Sequence, residues 1–328
     1  MKPVKTIALT LAGLGMAAAV AIADRAEAEG FKIGRIVKQG THPYFTAETV
    51  GMRAAAEELG IELLYQDVQT DTDLTISALD TMIAAGVDAI AITVPDQRSG
   101  PAVMARANEA GILLITPYDP IEDDEGNVAP YIGPSNPTLG RMTGEEGVRI
   151  YGELGWASEA GELRVAAIEA QQIEPCMERS DFATAAFLEG TGIGEDQVIH
   201  IPIAPQTTEQ ATIALSTVGV ANPQVTHWVI FGCDDSDVIG GIRGLEEAGY
   251  TAESILAVGP TGSTACAEWA HPEETGFRAA IYFDAGANGR TVVETIHKAL
   301  TTGEPFAAYT EMMGFPQTRA DNSMMGCE

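Results

Sequence analysis

Lys38, Tyr44 and Phe45 near the start of the chain, Asp119, then Arg179, the adjacent acids Asp234 and Asp235, and Thr261 are the residues whose types and placement could do chemistry. Lysine offers three donors, arginine a planar fork that gives two bonds in fixed geometry, a carboxylate only accepts, and a threonine has one hydroxyl. Such a set suits a small molecule covered in hydroxyls. Its polar edge takes charge-assisted hydrogen bonds, and its C–H face packs on an aromatic ring. Pro43 fixes the backbone just before the two aromatics. Blander readings exist for each: Phe45 as the first apolar residue of a helix, Asp119 as the cap of the turn before Pro120, Arg179 as a surface partner of Glu174 or Glu178, and Asp234 with Asp235 as helix caps. One acid suffices for a cap, so the second of that pair is the informative one. Asp284 is a further, hinge-side candidate.

The elements that must position these residues alternate in type. Apolar, β-branched strands are expected over 31–37, 61–66, 89–93 and 112–117, with amphipathic helices over 45–59, 74–85 and 101–110, which argues for a parallel sheet with right-handed crossovers. After an acidic loop over 119–127 and a short strand at Tyr131-Ile132-Gly133, a second alternation starts. It has a helix over 138–154 and strands over 163–168, 198–203, 228–231 and 255–258, and one of its helices is ended by Gly249. A strand over 277–283, a helix over 288–300 and an irregular, methionine-containing tail complete the chain. In parallel α/β sheets, ligands bind at the turns after strand carboxyl ends, where Lys38, Asp119, Asp234, Asp235 and Thr261 all fall.

The stretch His227 to Trp269 holds the frame Gly-x-x-Asp-Ser-x-x-x-Gly-Gly at Gly232, Asp235, Ser236, Gly240 and Gly241, and the first strand ends in Val37-Lys38-Gln39. In both features the chain resembles the periplasmic sugar-binding proteins of ABC importers, the type I solute-binding proteins, and within them the L-arabinose-binding members. The resemblance spans essentially the whole chain after residue 28. It implies two doubly wound parallel-sheet lobes joined by a three-strand hinge near Ile132, Gly276 and Tyr309: a first lobe of 29–132 plus 276–308 and a second of 133–275 plus 309–328. By position, Lys38, Tyr44 and Phe45 match the family's lysine and aromatic pair. Asp119 matches the second of two acids, and Arg179 matches an arginine that reaches the sugar ring oxygen. His42 replaces a glutamate, Tyr118 the first acid, and Asp234 and Thr261 two asparagines. The hydrogen-bond code therefore differs from that for L-arabinose.

Residues 1–28 read as an export signal. Lys2 and Lys5 precede an apolar run from Ile7 to Ala23, and Ala26-Glu27-Ala28 fits a small-x-small cleavage site, so the mature chain is expected to begin at Glu29, soluble and periplasmic. No later stretch approaches the ~20 apolar residues of a spanning helix. Without Lys2, Lys5, Asp24, Arg25 and Glu27, 15 of the 18 basic and 45 of the 47 acidic residues remain, a formal charge near −30. That charge argues against a nucleic-acid partner. Beyond residue 28 the lysines are Lys32, Lys38 and Lys298.

Cys176, Cys233, Cys266 and Cys327 could pair in three ways in an oxidising compartment. Cys176 and Cys233 both fall beside expected ligand loops, which is compatible with a bridge there, as it is with free buried thiols. No cysteine spacing suggests a metal, and no cofactor is expected. The sequence has no nucleophile elbow, zinc helix, phosphate loop or dinucleotide fingerprint. The remaining enzyme reading is a sugar-modifying one using the Asp119 and Asp234 carboxylates. The favoured reading is a monomeric periplasmic binding protein, not an enzyme. It takes a pentose or hexose, arabinose- or galactose-like, between its lobes and presents the closed form to ABC permease subunits. A chemoreceptor is a further candidate reader of that form.

Overall fold

A computed structural model describes residues 30–159 and 161–327, so the expected export signal and cleavage site lie outside the described residues. The first alternation gives β1 (Lys32–Val37), α1 (Pro43–Leu59), β2 (Glu62–Asp67), α2 (Thr72–Ala84), β3 (Ala89–Ile92), α3 (Gly100–Ala110), β4 (Leu113–Pro117) and β5 (Tyr131–Gly133). Local chemistry sets the ends of these elements. Pro43 opens α1, where its missing N–H costs nothing, and Gly60 closes it at φ 67°, a left-handed conformation that suits glycine. The second alternation gives α4 (Asn136–Leu154), β6 (Leu163–Glu169), α5 (Glu174–Thr191), β7 (Val198–Pro202), α6 (Thr208–Ala221), β8 (His227–Phe231), α7 (Asp235–Glu247), β9 (Ile255–Gly259) and α8 (Ala265–Trp269). It ends with β10 (Phe277–Tyr282), α9 (Ala285–Thr302), β11 (Tyr309–Glu311) and β12 (Phe315–Thr318).

The strands form two six-stranded sheets, ordered β11-β5-β4-β3-β1-β2 and β12-β10-β9-β8-β6-β7. All pairings are parallel except that of β10 with β12. Each sheet is the middle layer of an α/β lobe whose helices bury its two faces.

The implied return of residues 277–283 to the first lobe is corrected by this topology. β10 stays in the second sheet, between β9 and β12, because Phe277 and Ala280 pack into that lobe's core with Trp269, while Ala279 joins Val258 and Phe231 on the other face. Only α9 crosses, its Val292, Val293 and Ile296 packing on Phe31, Ile33 and Met52. The last stretch is not an irregular tail either. β11 joins the first sheet beside β5, β12 joins the second, and Cys327 is bonded to Cys266. The chain thus passes between lobes at 133–136, 282–285 and 311–315, and the Met312 amide donates to the Gly133 carbonyl at 2.9 Å.

Among the lysines, Lys32 pairs with Glu62 and Lys298 with Glu304, and both keep much of their side chain in solvent, 39% and 68%. Lys38 is buried. No helix among the described residues is long and apolar enough to cross a membrane.

Candidate functional site

The first lobe's contribution gathers at the carboxyl ends of β1 and β4. Lys38 directly follows β1 and donates from Nζ to Asp119 Oδ2 at 2.6 Å; Asp119 is fully buried. The Lys38 ammonium also lies 5.6 Å from the centre of the Phe45 ring. His42 caps α1, its Nδ1 accepting from the Tyr44 amide at 3.3 Å. Tyr118, between Pro117 and Asp119, adopts φ 72°, and its ring lies 4.1 Å from that of Tyr44 and 5.5 Å from that of Phe45. Beneath the aromatics, buried Arg35 pairs with buried Glu48, and Asn288 of α9 donates to Glu48 at 2.9 Å and to the Tyr44 hydroxyl at 3.1 Å. The aromatic pair is therefore locked from below.

The second lobe contributes Arg179 from α5. Its position depends on a close approach of α4, where a Cβ at Gly140 or Gly144 would strike the backbone carbonyls of Arg179 and Ala183. Arg179 Nε donates to Asn136 at 2.8 Å, and its Nη1 donates to the Tyr118 hydroxyl at 2.7 Å and the Cys233 carbonyl at 3.3 Å. Cys176, one turn before Arg179, is bonded to Cys233, the residue before Asp234, with Cα atoms 4.5 Å apart. The bridge ties the arginine's helix to the acid's loop.

The two neighbouring acids do different work. Asp234 caps α7, with Oδ1 accepting from the Ser236 and Asp237 amides, while Oδ2 faces His42 Nε2 at 3.0 Å and accepts from Gln206 at 3.0 Å. Asp235 points away from that cluster. Its oxygens accept from the backbone amides of Thr261, Gly262 and Thr264 at 3.0 to 3.1 Å, and the Thr261 hydroxyl meets Ser263 at 3.0 Å. The structure thus brings Lys38, Tyr44, Phe45, Asp119, Arg179 and Asp234 together. Asp235 and Thr261 brace the turn after β9, and Asp284 caps α9 through the Ala287 amide. A carboxylate with three amide donors is already satisfied, so the second acid was informative about the turn rather than about the cluster.

Two buried polar atoms face each other across the lobes without a hydrogen-bond partner, Asp119 Oδ1 and Arg179 Nη2, 3.7 Å apart. Burial works against charge on Asp234. His42 and the Asp237 and Ser236 amides outweigh it, holding that carboxyl at about 2. Burial and the Asp234 charge push nearby Asp237 well up, and Gln206 bridges the two acids. A carboxyl held low stays ionised at neutral pH and serves as a hydrogen-bond acceptor. Its folded pKa lies below the unfolded value near 3.9, so its stabilisation is full above pH 4 and is lost toward pH 2. Asp234→Asn is expected to cost on the order of 2 kcal/mol at pH 7 and almost nothing at pH 2. Urea midpoints for both proteins at pH 7, 4 and 2 check this; a gap independent of pH would make the carboxylate's charge irrelevant.

Sequence reasoning passed over Asn136, Gln206 and Asp237, and it took His42 and Tyr118 only as departures from a pattern. A signal existed for Gln206, which lies in the loop after the carboxyl end of β7. A groove of about 440 Å³ opens beside the cluster, between Gln97, Pro120, Ile121 and Glu122 of one lobe and Glu174 and Glu178 of the other.

The two parallel-sheet lobes meet charge to charge through their strand-end loops, and three crossings join them. The sequence pattern of the periplasmic binding protein domain matches residues 33–305, and the chain belongs to that family of binding proteins, not to an enzyme family. More particularly, it is similar to the L-arabinose-binding periplasmic protein of Escherichia coli, 28% identical over 315 residues covering 95% of this chain and 94% of that one. It is also 28% identical to the ABC transporter L-arabinose-binding periplasmic protein of Azospirillum brasilense, over 96% of this chain and 92% of the relative. A solved ABC transporter solute-binding protein from Actinobacillus succinogenes, with bound D-allose, shares the fold at TM-score 0.74 and 19% identity, covering 90% of this chain and 99% of that chain.

Proposed function

We propose that this protein captures a pentose or hexose between its lobes in the periplasm, reached through its N-terminal export signal, and hands it as a monomer to the membrane subunits of an ABC transporter. The observation that carries the reading is the buried pair Asp119 Oδ1 and Arg179 Nη2, one from each lobe, both unpartnered. A sugar hydroxyl accepts from the guanidinium and donates to the carboxylate in one step, so it answers both atoms at once. A ligand that touches both lobes binds the closed form better than the open one, and that difference drives closure. In this reading Lys38, Asp119, Arg179 and Asp234 read hydroxyls, and Tyr44 and Phe45 floor the site. Asp235 and Thr261 act indirectly, by fixing the turn beside it. A chemoreceptor would read the same closed lobes. The arabinose- and ribose-binding names of the relatives support a monosaccharide of this class.

A thermal-shift screen against aldoses, ketoses and polyols tests it. At a thousandfold excess over Kd the bound sugar adds about 4 kcal/mol to native stability, a shift of several degrees, while nucleotides add nothing. A screen in which no sugar moves the melting curve would end the assignment. Light scattering with and without the active sugar is expected to return one chain mass in both.

A further inference from the structure

We propose that the Tyr118 ring sets the size of ligand this site accepts, admitting five-carbon sugars and turning away the six-carbon sugars that differ from them only by a hydroxymethyl group. The assignment rests on the sugar reading above and goes beyond it.

The ring stands in the middle of the cluster. One face lies against Tyr44, the Phe45 ring stands nearly perpendicular with its centre 5.5 Å away, and the Arg179 guanidinium is 4.6 Å from the ring centre. These are the groups that any bound ring must pack on or hydrogen-bond to, so the side chain takes up room between the aromatic floor and the arginine. It is also aimed rather than free to swing. The Tyr118 amide donates to Ile132 at 2.8 Å, its carbonyl accepts from the Tyr131 hydroxyl at 2.9 Å, and its left-handed φ is one that tyrosine adopts at a cost. The hydroxyl accepts from Arg179, leaving its own proton as the one polar contact it can still make. Burial pushes the phenol up, so it stays neutral and offers no acceptor charge to a further hydroxyl. A hydroxymethyl group directed at this wall meets the Tyr118 ring where it lies against Tyr44, and its carbon would have to lift Tyr118 off Tyr44.

Three matched pairs isolate that one group: D-xylose with D-glucose, L-arabinose with D-galactose, and D-ribose with D-allose. Calorimetry on the wild type is expected to show the pentose of the best-bound pair binding at least about tenfold tighter than its hexose, the scale of one misfitted carbon in a fitted pocket. Tyr118→Gly removes the ring, suits the left-handed backbone and is expected to bring the ratio close to one. Tyr118→Phe keeps the ring and is expected to keep the ratio while weakening both sugars. A wild type that holds the hexose as tightly as the pentose, or a ratio that survives Tyr118→Gly, overturns the assignment and leaves the sugar reading standing. Binding to none of the six sugars would overturn this assignment, and the sugar reading falls with it only if the wider screen of aldoses, ketoses and polyols is also silent.

Discussion

Arg179→Ala is expected to lose sugar binding by about 10- to 150-fold or more, the equivalent of one charge-assisted hydrogen bond of about 1.5 to 3 kcal/mol to a buried ligand. The loss should come with a lower melting temperature even without sugar. The guanidinium is buried and answers Asn136, the Tyr118 hydroxyl and the Cys233 carbonyl, so alanine leaves three acceptors without their donor and Asp119 with Lys38 as its remaining close cation. Removing one side of a buried charged cluster costs about 3 to 5 kcal/mol. Arg179→Lys separates the two effects, since it keeps the charge but loses the fork. Calorimetry and thermal melts on all three proteins give the answer. An affinity that falls no further than the melting curve predicts would make Arg179 an internal strut and not a ligand-reading group.

Glu48→Ala is the second large effect and concerns the floor of the site. Arg35 and Glu48 are both fully buried, and the same glutamate takes the Asn288 amide that bonds to Tyr44. Alanine would leave a guanidinium in the first lobe's interior with Thr93 and the Ile36 carbonyl as its remaining partners. The expected cost is about 3 to 5 kcal/mol, a large part of the ~5 to 15 kcal/mol that holds a domain folded. Replacing both partners, with Arg35→Met and Glu48→Leu together, is expected to recover most of it, because no charge is then left unpaired. Urea denaturation followed by circular dichroism compares the two. A single variant costing under about 1 kcal/mol would mean that water reaches Arg35 and that the floor is not locked through this pair.

The alternation of strands and helices was legible because it rests on local periodicity and caps. Gly249 was read as the end of a helix and takes a left-handed φ of 97° there, while the first helix opens at Pro43, two residues before the expected start at Phe45. Sheet membership was not legible, since a run such as Phe277 to Tyr282, apolar on both faces but for Arg278, would suit the middle of either sheet. β11 and β12 escaped notice for a related reason. They are three and four residues long, and their order comes from the sheets they join rather than from their own pattern. Within the candidate site, residue type and strand-end position pointed to Lys38, Asp119 and Asp234, whereas Arg179, inside α5, came only from the resemblance. Neither separates an acid that faces the cleft from one that ties a turn, because Asp234 and Asp235 differ only in which way one peptide directs the side chain. The bridge from Cys176 to Cys233 was one of three pairings open to the sequence and became definite only when β6 and β8 were laid side by side.

The scarcity and placement of lysine bear on how the molecule can be held on a solid support. Among the described residues the two solvent-facing lysine amines, Lys32 at the start of β1 and Lys298 on α9, both belong to the first lobe, whereas no lysine occurs between Lys38 and Lys298. Amine-reactive coupling to a sensor chip or bead would therefore anchor one lobe and leave the other unattached. Under the proposed closure a tethered population would keep its full swing, and a reporter dye on the second lobe would register each capture as movement relative to a fixed surface.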